Sequence, residues 1–115
     1  MSHRPSGKYR FTFTFLIYRS EIEPDKFVAH CLELDVLAVE STKPKAIGLL
    51  KELIEDLIEA AIKDDTLDRI FTPAPKKFWR ALAHAKPYEP PDNVKRHHIR
   101  TRRVRRVDYA LASTQ

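Results

Sequence analysis

A chain of 115 residues, 43% hydrophobic and 32% charged, is long enough for one domain with a buried core and does not have the composition of a wholly disordered chain. Its net charge of +5 hides an asymmetry: residues 1–75 hold 10 Lys/Arg and 13 Asp/Glu, whereas residues 76–115 hold 11 and 3. One cysteine excludes an internal disulfide, no run of about 18 apolar residues is present to form a spanning helix, and Gly7 and Gly48 stand too far apart for a glycine-rich phosphate loop.

The opening MSHRPSGKYR is basic, but the FTFTFLIY that follows is interrupted by threonines and has no small-residue cleavage site, so it does not read as a signal peptide. The expectation is a cytoplasmic protein. YRFTFTFLIYR, residues 9–19, alternates Phe11, Phe13, Phe15 and Ile17 with Thr12, Thr14, Leu16 and Tyr18. That period of two predicts a strand with one strongly apolar face. Pro24-Asp25 marks a turn. Residues 26–34 predict a second strand and residues 35–42 a short third one. Spacing this brief favours an antiparallel meander, and the long apolar first strand is expected to present an open edge, hence a homo-oligomer.

STKPKAIGLLKELIEDLIEAAIKDD predicts the long helix. Ser41 or Thr42 can cap it, and Pro44 falls in the first turn, where a missing N–H costs little. Ala46, Leu50, Leu53, Leu57 and Ala61 form an apolar stripe, widened by Ile47, Ile54 and Ile58. Glu52, Glu55, Asp56 and Glu59 lie on the other side. Two prolines then lead into a short helix over 76–86, with Phe78, Trp79, Leu82 and Ala85 roughly on one side and Pro87 ending it. YEPPDN is a linker. VKRHHIRTRRVRRV, residues 94–107, carries seven basic residues and no acid. Ile99, Val107, Tyr109 and Leu111 share one strand face, yet Val104, Val107 and Leu111 also fit helical spacing. A terminal strand and an unstructured arm both fit. The organisation read from this is a body over 1–87 and a linker with basic tail over 88–115, so that a chain ending at Pro91 is expected to stay folded.

FVAHCLELD, residues 27–35, sets a histidine beside the only cysteine. In a strand, Phe27, Ala29, Cys31 and Glu33 point one way and Val28, His30, Leu32 and Leu34 the other. His30 and Cys31 are then on opposite faces and cannot form a nucleophile–base pair. Cys31 reads as a small buried apolar residue and His30 as a half-exposed polar one. His97 and His98 are adjacent rather than spaced for a metal. No catalytic residue, metal ligand or cofactor site is assigned.

The stretch FVAHCLELDVLAVESTKPKAIGLLKELIEDLI resembles the N-terminal domain of HicB-family antitoxins. Phe27, Ala29, Cys31 and Leu34 match that family's F/Y-x-A-x-C/F-x-x-L strand. Thr42, Ala46 and Leu50 match its T-x-x-x-A-x-x-x-L helix start, and the strand at 9–18 fits its opening strand. The likeness extends over about residues 9–62. Asp35-Val36 and Glu40-Ser41 stand where the family often has glycine-containing turns, and no C-terminal helix-turn-helix or ribbon-helix-helix segment is evident. The resemblance implies an α+β fold of partial ribonuclease-H-like type: a three- to four-stranded antiparallel sheet with one long packed helix, followed here by a short second helix and a basic tail. It also implies a non-enzymatic protein that binds a small HicA-like RNA-cleaving toxin and oligomerises. Glu52, Glu55, Asp56 and Glu59 are the candidate toxin-docking residues. Lys95, Arg96, Arg100, Arg102, Arg103, Arg105 and Arg106 are the candidate nucleic-acid contacts, since arginine-dense segments bind polyanions by counterion release. The rival readings are a stand-alone nucleic-acid-associated protein and, last, a hydrolase using His30 with Asp35.

Overall fold

The computed structural model describes residues 9–90 and 104–115, with only the main chain of Val104 and Arg105. β1 (Tyr9–Arg19) is the axis of the sheet. Its phenylalanines need a covered face, and its backbone is paired on both sides. β2 (Phe27–Cys31) runs antiparallel to it, with Phe15 opposite Cys31 and Arg19 opposite Phe27. β3 (Val36–Glu40) continues the meander on the outside of β2. α1 (Lys43–Lys63) follows, capped by the Thr42 side chain, which accepts the Lys45 N–H at 3.2 Å. A 3-10 turn (Leu67–Arg69), α2 (Lys76–Leu82) and a two-residue β4 (Lys86–Pro87) lead on to β5 (Val104–Ser113). The second helix stops four residues short of the expected Lys86, in a turn closed by the His84 N–H on the Ala81 carbonyl.

The sheet has five strands in the order β3-β2-β1-β5-β4, and it is mixed rather than antiparallel. β5 lies parallel to β1, in register from Phe11 opposite Val107 to Ile17 opposite Ser113. A parallel neighbour needs a long crossover, and the chain between β3 and β5, α1 included, is that crossover. The expected open edge of β1 is therefore closed by β5. The sheet draws strands from both sides of the boundary drawn after Pro87, and the expectation that a chain ending at Pro91 stays folded is withdrawn.

α1 covers one face. Phe11, Phe13, Phe15, Ile17, Ala29 and Cys31 pack there against Ala46, Ile47, Leu50, Ile54 and Ile58. The buried side of α1 is turned from the expected stripe: Ile47, Ile54 and Ile58 are at 0% exposure and Leu53 is at 40%. A wide sheet contacts a helix over more than a two-position seam, so the Ile row takes the centre. On the other face, Leu16, Leu32 and Ala74 form a smaller core under α2, with Tyr18, Phe78, Trp79 and Leu82 against it. Trp79 donates from Nε1 to the Ala74 carbonyl at 3.1 Å. Leu34 departs from strand alternation. After Cys31 the chain turns, the Asp35 N–H bonding back to the Cys31 carbonyl at 2.9 Å, and Leu34 swings to the α1 side.

Candidate functional site

Cys31 and His30 point to opposite faces of β2, as strand alternation requires. The Cys31 thiol is fully buried under α1. Burial, with the Glu33 carboxylate nearby, pushes its pKa up to about 12, against the pull of main-chain hydrogen bonds from Leu34 and Glu33. A thiol held neutral in this way is no nucleophile. Glu33 is spent as well. The β1–β2 ladder ends at Phe15 opposite Cys31; at Thr14 the carbonyl still accepts the Leu32 N–H at 3.0 Å, while Glu33 accepts the Thr14 N–H and the Thr14 hydroxyl, both at 2.7 Å. Cys31→Ala is expected to cost about 1 kcal/mol or slightly more. The native thiol should label far more slowly than the unfolded one at neutral pH; equal rates would contradict its burial.

His30 is 1% exposed, not half-exposed. The reason is α2, whose Phe78 meets the imidazole edge-on at 4.5 Å between centroids. Both ring nitrogens are engaged. Nε2 lies 2.7 Å from Asp35 Oδ1 and Nδ1 lies 2.9 Å from the Tyr18 hydroxyl. A carboxylate only accepts, so Nε2 carries the proton, and Nδ1 accepts the Tyr18 O–H. Burial, with Asp35 and Glu21 nearby, pushes the Tyr18 phenol up to about 12 and keeps that proton in place. Asp35 holds its position with a left-handed backbone, φ 54°, a conformation Asp tolerates better than most residues.

The chain Tyr18–His30–Asp35 has the connectivity of a base and its orienting acid. Here, however, the hydroxyl is made less acidic, and His30 has no free nitrogen and almost no surface. It ties β1, β2 and the turn after β2 together under α2. Of its members, sequence reasoning paired His30 with Asp35 but missed Tyr18 and Phe78. Leu16 lies directly opposite His30, so Tyr18 is its diagonal neighbour. That relation exists only once the register is known.

The four carboxylates of α1 do share one side of the helix, but unequally. Glu52 and Asp56 are exposed one turn apart, and Glu55 and Glu59 are half-buried. Lys51, beside them, is buried, with Nζ 4.8 Å from the Tyr109 ring centre, and burial lowers its pKa. Of the seven candidate nucleic-acid contacts, Lys95, Arg96, Arg100, Arg102 and Arg103 lie outside the described residues. Arg105 and Arg106 are in β5. Arg106 is 70% exposed and pairs with Asp108 at 2.9 Å. Among the described residues no cluster of three or more His, Cys, Asp or Glu side chains could hold a metal ion, and no helix is long and apolar enough to cross a membrane. A half-open cavity of about 480 Å³ lies on the α2 side, lined by Tyr18, Ile22, Leu37 and Phe78.

This mixed-sheet α+β chain finds no match among family models, curated proteins or solved structures.

Proposed function

We propose that this protein is a non-enzymatic binding module of the HicB-like antitoxin kind, which neutralises a small basic RNA-cleaving protein by docking it on the outer side of α1. The observation that carries the reading is the pair Glu52 and Asp56. They stand exposed one turn apart on a helix whose other side is locked into the core by Ile47, Leu50, Ile54 and Ile58. A helix held so firmly offers its charges at fixed positions, which favours electrostatic docking of a cationic partner. Glu55 and Glu59 flank the pair and contribute field more than contact. A sheet with one long helix packed on it is also the arrangement the family resemblance implies. The reactive residue types add support: the Cys31 thiol, the His30 ring and the Glu33 carboxylate are each committed to holding the sheet together.

The experiment is co-purification with the product of a neighbouring reading frame that encodes a small basic protein. Glu52→Lys with Asp56→Lys should lower that affinity about tenfold or more, the equivalent of about 1.4 kcal/mol, and leave the melting point unchanged. Undiminished binding by the double variant would remove α1 as the docking surface.

The second reading, a stand-alone nucleic-acid-associated protein, is favoured by the basic segment from Lys95 to Arg106. It predicts binding whose log–log salt slope is about −0.9 per phosphate contacted on duplex DNA. Salt-sensitive binding of DNA or RNA, with no protein partner captured, would put this reading first.

A further inference from the structure

α2 is too short to cover the sheet face it packs on. Its seven residues extend about 10 Å. They close over Leu16, Leu32 and His30 and leave β3 in the open. Leu37 and Val39 of β3 stand opposite His30 and Val28, and so face the α2 side with them. Leu37 is 46% exposed, and Ile22, on the loop after β1, is 91% exposed. Between these residues and Phe78 and Ala81 of α2 lies the half-open cavity of about 480 Å³. Small-molecule sites span about 300–1,000 Å³. The undescribed segments meet the described chain at Tyr9, Pro90 and Val104, none of which lines the cavity. The large apolar side chains in residues 1–8 and 91–103 are Met1, Val94 and Ile99, so neither segment supplies an apolar run to fill it.

We infer that this cavity binds a small organic anion with an apolar body, a medium-chain or aromatic carboxylate or sulfonate, whose charged group is held by Lys77. The walls call for the apolar body. Their hydroxyls are spent within the chain: Tyr18 donates to His30, the Ser20 Oγ accepts the Glu23 N–H at 3.0 Å, and Thr114 Oγ1 lies 3.5 Å from the Ile17 carbonyl. Arg19 is engaged too, donating to the Pro24 carbonyl at 2.8 Å. A polar group buried against these walls would be left unsatisfied. The positive charge belongs to α2. The chain has no acid between Asp68 and Glu89. Lys76, Lys77 and Arg80 are exposed and have no ion-pair partner among the described residues. Lys77 lines the cavity, its Nζ 5.0 Å from the Phe78 ring centre. The loop side of the rim carries Glu21, which repels an anion and leaves the helix side as its place. Gln115, also in the lining, has its carbonyl oxygen bonded by Lys43 Nζ at 2.9 Å. Size favours a small ligand over a protein. Stable protein interfaces bury about 1,200 Å² or more, and among the described residues only Ile22 and Leu37 are large exposed apolar side chains on this face. The inference goes beyond the docking of a protein on α1 and does not depend on it.

The test titrates the full chain with anilinonaphthalene sulfonate, an apolar anion that fluoresces on leaving water, and with N-phenylnaphthylamine, which has the same rings without the charge. The native protein should bind the sulfonate at a single site, about fivefold more tightly than the neutral compound, and decanoate should displace it. Lys77→Glu should remove that preference and leave the affinity for the neutral compound unchanged. Ala81→Phe should fill the cavity and abolish binding of both. Leu37→Glu, at an exposed position on the facing wall, should keep the melting point and weaken the sulfonate about tenfold; it carries the test if Ala81→Phe disturbs α2. No fluorescence gain with the native protein, equal affinity for the charged and neutral compounds, or binding that survives both Ala81→Phe and Leu37→Glu would each overturn the inference. So would a sulfonate site untouched by Lys77→Glu and lost when Lys95, Arg96 and Arg100 are changed to Gln, which would place the anion on the basic segment.

Discussion

A chain ending at Pro91 is expected to lose its cooperative thermal transition. The cut removes β5, the parallel neighbour of β1 from Phe11 to Ile17. With it go Val107, Tyr109 and Leu111, which pack against the core under α1. Each such side chain contributes about 1.5–3 kcal/mol when fully buried, and these are partly so. Their loss also strips the Phe13 and Phe15 rings of Tyr109, whose centroid lies 6.2 and 5.0 Å from theirs. β1 would then become an edge strand, its unpaired backbone running beside a strongly apolar face, a template for aggregation. Against a total stability of about 5–15 kcal/mol for a typical domain, losses of this size, added to the lost pairing of β1, remove most of the margin. Calorimetry and near-ultraviolet circular dichroism on the two chains check this. An unshifted melting point in the shortened chain would show that β5 is an accessory strand, and would return its basic residues to the role of a detachable arm.

His30→Ala should be the most damaging single substitution on the α2 side, costing about 3 kcal/mol. Two effects combine. Truncation leaves a cavity against Phe78 and the turn after β2, and it strands the Tyr18 hydroxyl, which donates its hydrogen bond at 2.9 Å to the lost ring. Asp35 is 39% exposed and can turn to water, so it adds less. For a domain of this size the melting point should drop by roughly 10 °C. Tyr18→Phe should cost less, about 1–3 kcal/mol, by leaving Nδ1 without its donor. Asp35→Asn should cost least, because Asn also accepts a left-handed backbone and offers an oxygen to Nε2. The ordering separates a structural tie from a catalytic one. If His30→Ala melted like the native chain while abolishing a hydrolytic activity, the hydrolase reading would replace the binding reading.

Local periodicity determined much of this protein directly. The alternation of Phe11, Phe13, Phe15 and Ile17 specified a strand with one buried face. Thr42 and Pro44 specified where α1 begins. The opposite pointing of His30 and Cys31 followed from the pleat alone, and with it the conclusion that they do not form a pair. These signals depend on neighbours one to four residues apart, which is the range over which backbone geometry is rigid. Tertiary structure decided what depends on distant partners. Val107, Tyr109 and Leu111 had the alternation of a strand, but nothing nearby in the chain said that it would lie parallel beside β1 and make a meander into a mixed sheet. His30 looked half-exposed because one face of a small sheet ordinarily meets water; α2, some fifty residues on, covers it. Leu34 and Leu53 changed sides for the same kind of reason, one at a turn held from the Cys31 carbonyl and one on a helix rotated by the sheet beneath it. A side chain's direction along its own backbone is a local property. What stands opposite it is set by contacts between segments far apart in sequence, and those form only when the chain folds.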